Sequence, residues 1–176
     1  GAPVTTLAST SRWQSKAWPR AHWAELGRRL LDRDGGHLLL LGSPAEQAEV
    51  EALRDEIGGP PDRVHALAGR TDVGEMMAAI EQSDLVVSND SAALHMAVGF
   101  AHRGVHSIGL FGPTDPAKVG PYGGDAHVLR APLPDGRAVN YRDRDIGDSI
   151  MRGIDVDAVF ERIESVRGTA SKVADP

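Results

Sequence analysis

Leu85-Val86-Val87-Ser88-Asn89-Asp90-Ser91-Ala92-Ala93-Leu94-His95-Met96-Ala97 decides the fold of this chain. An apolar run stops at a small polar cluster, and helix-period spacing starts immediately after it. A strand that turns straight into a helix aims unpaired backbone N–H groups and the positive end of the helix dipole beyond the strand. Open parallel sheets hold phosphates at that edge. Asp90, Ser91 and His95 sit in this mouth, and Ser91 and His95, at i and i+4, share one helix face. A carboxylate, a hydroxyl and an imidazole beside a phosphate seat point to a ligand joining phosphate to hydroxyl groups. A nucleotide sugar has that chemistry.

Outward from this junction, strand and helix patterns alternate along the chain. They predict an α/β, doubly wound parallel sheet of about six strands with helices on both faces, a Rossmann-like arrangement. Strands are expected at Val4–Ala8, 37–41, 64–67, 85–88, 105–111 and His127–Arg130. Pro19 opens a helix that turns Trp23, Leu26 and Leu30 inward and stops at Gly35-Gly36. Val50, Leu53 and Ile57 share a face of the next helix, and Val73, Met76, Met77 and Ile80 have amphipathic spacing in the third. Residues 112–124 read as an ordered Gly/Pro loop and the stretch to Gly153 as irregular. A last helix is expected over 156–166, capped by Asp155. The domain is read as 1–167, with 168–176 as a disordered polar tail.

At 176 residues the chain is long enough for one domain with a sizeable core. Its net charge of −6 argues against a general nucleic-acid binder. Among the 19 basic residues only Lys16, Lys118 and Lys172 are lysines, so each can be weighed individually. The absence of cysteine excludes disulfides, iron–sulfur clusters and thiol catalysis. No apolar run approaches the roughly 20 residues of a membrane span, and no signal-peptide pattern opens the chain. Gly1-Ala2-Pro3 leads almost directly into the first strand without an initiator Met, which reads as a piece cut from a longer protein.

Each candidate site has a plainer structural alternative. Asn89 or Asp90 could simply cap the helix, with His95 hydrogen-bonded against the sheet. A cap accounts for one oxygen but not for Ser88-Asn89-Asp90-Ser91 at a strand's carboxyl end, so the ligand reading is preferred. Beside a phosphate, Asp90 must already be engaged by backbone N–H groups or must meet sugar hydroxyls. Lys16 follows the first strand in Ser9-Thr10-Ser11-Arg12-Trp13-Gln14-Ser15-Lys16-Ala17-Trp18-Pro19. It is either a charged donor to a diphosphate or a solvated loop lysine. Ser43-Pro44-Ala45-Glu46 is a capping box, and Asp72 with Glu75 forms another, so local sequence assigns all four polar residues to caps. Gly109-Leu110-Phe111-Gly112-Pro113-Thr114-Asp115-Pro116 places a glycine suited to close backbone approach before a turn stiffened by prolines. Asp32-Arg33-Asp34 and Asp143-Arg144-Asp145 follow no strand and are rejected as metal–diphosphate sites. No residues have metal-ligand spacing, and Gly-x-Gly-x-x-Gly is missing after the first strand.

Three motifs together carry a resemblance: Lys16-Ala17-Trp18-Pro19, Ser88-Asn89-Asp90-Ser91 followed by His95, and Phe111-Gly112-Pro113-Thr114-Asp115-Pro116. With them, nearly the whole chain resembles the C-terminal, donor-binding domain of family 9 glycosyltransferases, the bacterial heptosyltransferases of the lipopolysaccharide inner core. The resemblance implies one half of a GT-B enzyme, transferring from an ADP-heptose-like nucleoside-diphosphate sugar with inversion and without metal or cofactor. It gives Lys16 the phosphates or sugar, Glu46 the ribose in addition to its cap, and Thr71 the adenine pocket. Asp90, Ser91, Ala92, Ala93 and His95 would grip the diphosphate and sugar, with Ser11, Thr114 and Asp115 as further loop contacts. Lys16, His95 and helix N–H groups would stabilise the leaving nucleotide in place of a metal.

No catalytic base is expected in this chain. The resemblance places it on an N-terminal, acceptor-binding half that is absent here, together with contacts to a glycan or lipid-linked acceptor. The setting it implies is cytoplasmic or peripheral to the inner membrane. Two departures stand out: Ala92-Ala93 replace the Gly-Pro-like pair usual after Asp-Ser, and residues 101–104 lengthen the segment between His95 and Phe111. Two alternatives remain beside the transferase: a non-catalytic nucleotide-binding module and a nucleotide-sugar epimerase on the same fold.

Overall fold

Strands β1 (Val4–Ala8), β2 (His37–Leu40), β3 (Val64–Ala66), β4 (Leu85–Asn89), β5 (His106–Phe111) and β6 (His127–Arg130) form one six-stranded sheet in the order β3-β2-β1-β4-β5-β6. Every pairing is parallel. The computed structural model describes residues 1–122, 127–133, 140–142 and 149–173. The chain winds outward from β1 to β3, then crosses back to lay β4 on the other side of β1. The register Thr5↔Leu85 through Ala8↔Ser88 sets the carboxyl ends of β1 and β4 side by side at this reversal. Open α/β sheets bind ligands at such a switch point.

The helices are α1 (Arg20–Asp34), α2 (Gln47–Ile57), α3 (Val73–Glu81), α4 (Ala92–Gly99), α5 (Pro116–Val119) and α6 (Val156–Val173). On one face, Trp23, Leu26 and Leu30 of α1, Leu53 and Ile57 of α2, and Val159 and Ile163 of α6 pack over Leu7, Leu38, Leu85 and Val87. On the other face, Ile80 of α3 and Ala93 and Ala97 of α4 cover Ala8 and Val86. Leu85, Val86 and Val87 are therefore all buried, in alternation against the two layers. That double covering explains why β4 reads as an unbroken apolar run. Gly35 ends α1 in the left-handed conformation (φ +59°), its N–H donating to the Leu31 carbonyl.

Several expectations are corrected. Only Ile80 of the α3 stripe is fully buried, with Met76 partly so, while Val73 is 63% and Met77 40% exposed. Val73, in the first turn, reaches past the sheet over a cleft, and Met77 lies at the edge of the apolar stripe. Helix α6 continues to Val173, past Gly168, where the sequence reading began a disordered tail. One helical glycine costs only about 1 kcal/mol, and no proline follows until Pro176. Residues 174–176 lie outside the described residues, as does the Asp143-Arg144-Asp145 triplet. The other triplet is structural: Asp34 is held by Arg167 and Arg33. Gly109 lies inside β5, and a Cβ there would meet Leu94 at 2.6 Å and Phe111 at 2.9 Å. The close approach it permits is that of α4 to the sheet, not of a ligand. Among the described residues no helix is long and apolar enough to cross a membrane.

Candidate functional site at the strand switch point

A cleft of ≈ 320 Å³ opens at the carboxyl ends of β1, β2 and β4. Ala8 and Leu41 lie at its base, and Ser91, Ala92 and Ala93 bring in the start of α4. Thr10, Ser11 and Arg12 come from the β1–α1 loop, Pro44 and Glu46 from the turn before α2, and Thr71, Asp72, Val73 and Met76 from the start of α3. Ala8, Leu41, Pro44, Val73 and Met76 make much of the lining apolar, suited to a flat ring, beside polar groups from Thr10, Ser11, Arg12 and Glu46.

Ser91, in extended conformation (φ −147°), is the N-cap of α4. Neither Asn89 nor Asp90 caps it. Ala92 and Ala93 occupy the first helical positions, whose N–H groups have no intrahelical acceptor and can face an anion. The Ser91 hydroxyl lies 2.9 Å from that of Ser88.

Asn89 is fully buried and acts as a brace. Its side-chain oxygen accepts the Trp18 N–H at 3.1 Å, and its amide donates to the Ser9 carbonyl at 2.8 Å. The β1–α1 loop is thereby pinned at both ends to the end of β4. Among the described residues, Asp90 is engaged by side chains and not by backbone N–H groups. Lys16 Nζ lies 2.6 Å from its Oδ2, and the Thr114 hydroxyl donates to the same oxygen at 2.8 Å. Lys16 and Asp90 side chains are 15% and 8% exposed, and the ammonium also sits 4.7 Å from the centre of the Tyr141 ring. This overturns the solvated-lysine alternative and removes the expected repulsion between Asp90 and a phosphate.

Glu46 accepts the Ser43 N–H at 2.7 Å through Oε2 and also lines the cleft. Its Oε1 has no partner among the described residues, so capping leaves one carboxylate oxygen available as an acceptor. Asp72 and Glu75 form the expected reciprocal cap, at 2.8 and 2.9 Å. Asp115 caps α5 through the Ala117 N–H at 3.2 Å, lies 3.5 Å from Arg130, and does not line the cleft. His95 is exposed on α4 and is not part of the cleft lining. The structure thus brings together Ser11, Glu46, Thr71, Ser91, Ala92 and Ala93, with Lys16, Asp90 and Thr114 as an adjoining node. Sequence reasoning missed Arg12, Pro44 and Tyr141 as site residues; Arg12 stood inside the loop scrutinised for Lys16. Among the described residues no group of three or more His, Asp or Glu could hold a metal ion.

The sequence profile of glycosyltransferase family 9 (heptosyltransferase) matches residues 1–145. The chain belongs to this family. Lipooligosaccharide heptosyltransferase 2 of Haemophilus ducreyi is 31% identical over 129 residues, covering 73% of this chain and 36% of the relative. This family 9 chain thus spans about a third of the length of the curated relatives it matches. Escherichia coli ADP-heptose lps heptosyltransferase II superposes with a TM-score of 0.77 at 20% identity, over 96% of this chain and 47% of that one. E. coli heptosyltransferase WaaC, solved with ADP, gives 0.73 at 24% identity, over 94% and 45%. At those identities the superpositions show a shared fold, the doubly wound sheet expected from the sequence.

Proposed function

We propose that this family 9 chain is the donor-binding half of an inverting, metal-independent glycosyltransferase using ADP-heptose or a closely related nucleotide sugar in lipopolysaccharide or related glycan synthesis. The observation that carries the reading is the cleft at the β1/β4 switch point. It joins free helix N–H groups at Ala92 and Ala93 to a spare carboxylate oxygen on Glu46 and an apolar wall. Phosphate, ribose hydroxyls and base each find the chemistry they require within one cavity. The heptosyltransferase names of the relatives and the ADP in the WaaC structure support the same donor. Family membership favours a transferase over an epimerase, and no observation favours a module without transfer.

In the reaction, an acceptor hydroxyl oxygen attacks the anomeric carbon as the bond from that carbon to the β-phosphate oxygen breaks. The bonding pair leaves with the nucleoside diphosphate, and the acceptor's proton passes to a base on the acceptor half. Negative charge grows on the leaving phosphate. In this chain, α4 N–H groups and the remaining Lys16 donors stabilise it, and preorganised donors of this kind are worth several kcal/mol. Asp90 and Thr114 hold the Lys16 ammonium in place. The acceptor is a glycan or lipid-linked sugar, and the setting is cytoplasmic, peripheral to the inner membrane.

Calorimetric titration of the chain with ADP, UDP and GDP, with and without magnesium, tests the reading. Metal-independent binding with ADP preferred is expected. No nucleotide binding, or binding only with magnesium, overturns it.

A further inference from the structure

Among the described residues, Arg12 is the only cation lining the cleft. Of the two cations that the motifs bring forward, Lys16 adjoins the cleft and gives one ammonium donor to Asp90 at 2.6 Å, and His95 is exposed outside the cavity. Arg12 is itself exposed and has no carboxylate partner among the described residues. Its guanidinium carbon lies 5.7 Å from the centre of the Trp13 ring, a stacking contact that leaves its N–H donors free. The two carboxylates of the same cleft are already engaged by backbone N–H groups, Glu46 by Ser43 and Asp72 by Glu75.

The residues on either side of Arg12 are anchored. The Ser9 carbonyl accepts from the buried Asn89 amide at 2.8 Å, and the Trp13 N–H donates to the Ser11 hydroxyl at 3.3 Å. The Trp13 ring meets Tyr141 edge-on at 5.6 Å. Arg12 is therefore presented to the cavity from a braced loop.

Free N–H groups at a helix start suit one phosphate. A second phosphate brings further charge, and Arg12 is the side-chain cation in the cleft that can meet it. An arginine fork does so with two parallel hydrogen bonds, which a lysine cannot reproduce. We propose that Arg12 binds the diphosphate of the donor and makes the cleft selective for nucleoside diphosphates over monophosphates. This rests on the donor-binding reading above.

The test is titration of the chain with ADP, AMP and adenosine, for wild type, Arg12→Ala and Arg12→Lys. Loss of one or two charged hydrogen bonds predicts about 10- to 100-fold weaker ADP binding in Arg12→Ala. Adenosine affinity and melting temperature stay at wild-type values, so the ADP-to-AMP preference collapses. Arg12→Lys recovers part of it, and the salt dependence of ADP binding becomes shallower in Arg12→Ala. An unchanged ADP-to-AMP ratio in Arg12→Ala overturns the assignment while leaving the donor reading intact. Equal weakening of ADP and adenosine overturns it too, by showing a damaged cavity. Failure of the wild-type chain to bind ADP overturns the donor reading and this inference together.

Discussion

Replacing Asn89 with alanine tests whether the donor cleft is built by one buried amide. Asn89 is 0% exposed and joins two elements distant in sequence, through the Trp18 N–H at 3.1 Å and the Ser9 carbonyl at 2.8 Å. The truncation leaves a backbone donor and a backbone acceptor buried without partners. Each costs about 1–3 kcal/mol, so a total near 3 kcal/mol is expected. For a domain of this size that corresponds to a fall in melting temperature of roughly 6–12 °C. Because the same bonds pin the loop carrying Thr10, Ser11, Arg12 and Lys16, ADP affinity falls as well. Asn89→Asp sharpens the test. Its carboxylate still accepts from Trp18, but it replaces the donor to Ser9 with an oxygen facing an oxygen, so it is no better tolerated than alanine. Thermal unfolding with and without ADP provides both readouts. A melting temperature within about 2 °C of wild type together with unchanged ADP affinity would refute the bracing role.

Lys16→Ala weakens ADP binding by roughly 1.5–3 kcal/mol, the value of a charged hydrogen bond, and lowers stability by leaving Asp90 without its counter-ion. Adding Asp90→Asn restores stability but not affinity; if affinity returns as well, Lys16 serves only to neutralise Asp90. Glu46→Gln keeps an acceptor for the Ser43 N–H but replaces one carboxylate oxygen with a donor, so melting temperature holds while ADP affinity drops. Loss of stability with intact affinity returns Glu46 to a cap alone. The purified chain, incubated with ADP-heptose and acceptor, releases no ADP, because orientation of the acceptor and proton transfer are not supplied here. ADP release that disappears in His95→Ala would place a complete active site within these 176 residues and refute the donor-half reading.

Local sequence determined the elements and the edge at which to look. Hydrophobic period and Gly/Pro punctuation act over a few residues, so the strands and α1 emerged within a residue or two of their observed bounds, whereas the helix expected from Pro44 opens as a 3-10 turn and becomes α2 only at Gln47. The polar cluster ending β4 marked the mouth of the cleft for the same reason. Both capping boxes were legible because their partners are three residues apart. The motif resemblance pointed to Thr71 and to Glu46 beyond its cap, both of which line the cleft and neither of which any local pattern singles out as a site residue.

Long-range pairing was invisible in the sequence. Lys16 meets Asp90 across 74 positions and Asn89 meets Ser9 across 80, and nothing in either segment alone specifies that contact. Only the crossover that lays β4 beside β1 decides it. That crossover turned Asn89 from a candidate cap into a buried brace and left Ser91 as the cap. It neutralised Asp90 with a lysine, kept His95 outside the cavity, and set Arg12 within it. Residue types and short spacings depend on the chain's local geometry, whereas the charges that share a cleft depend on which strand ends the sheet places side by side.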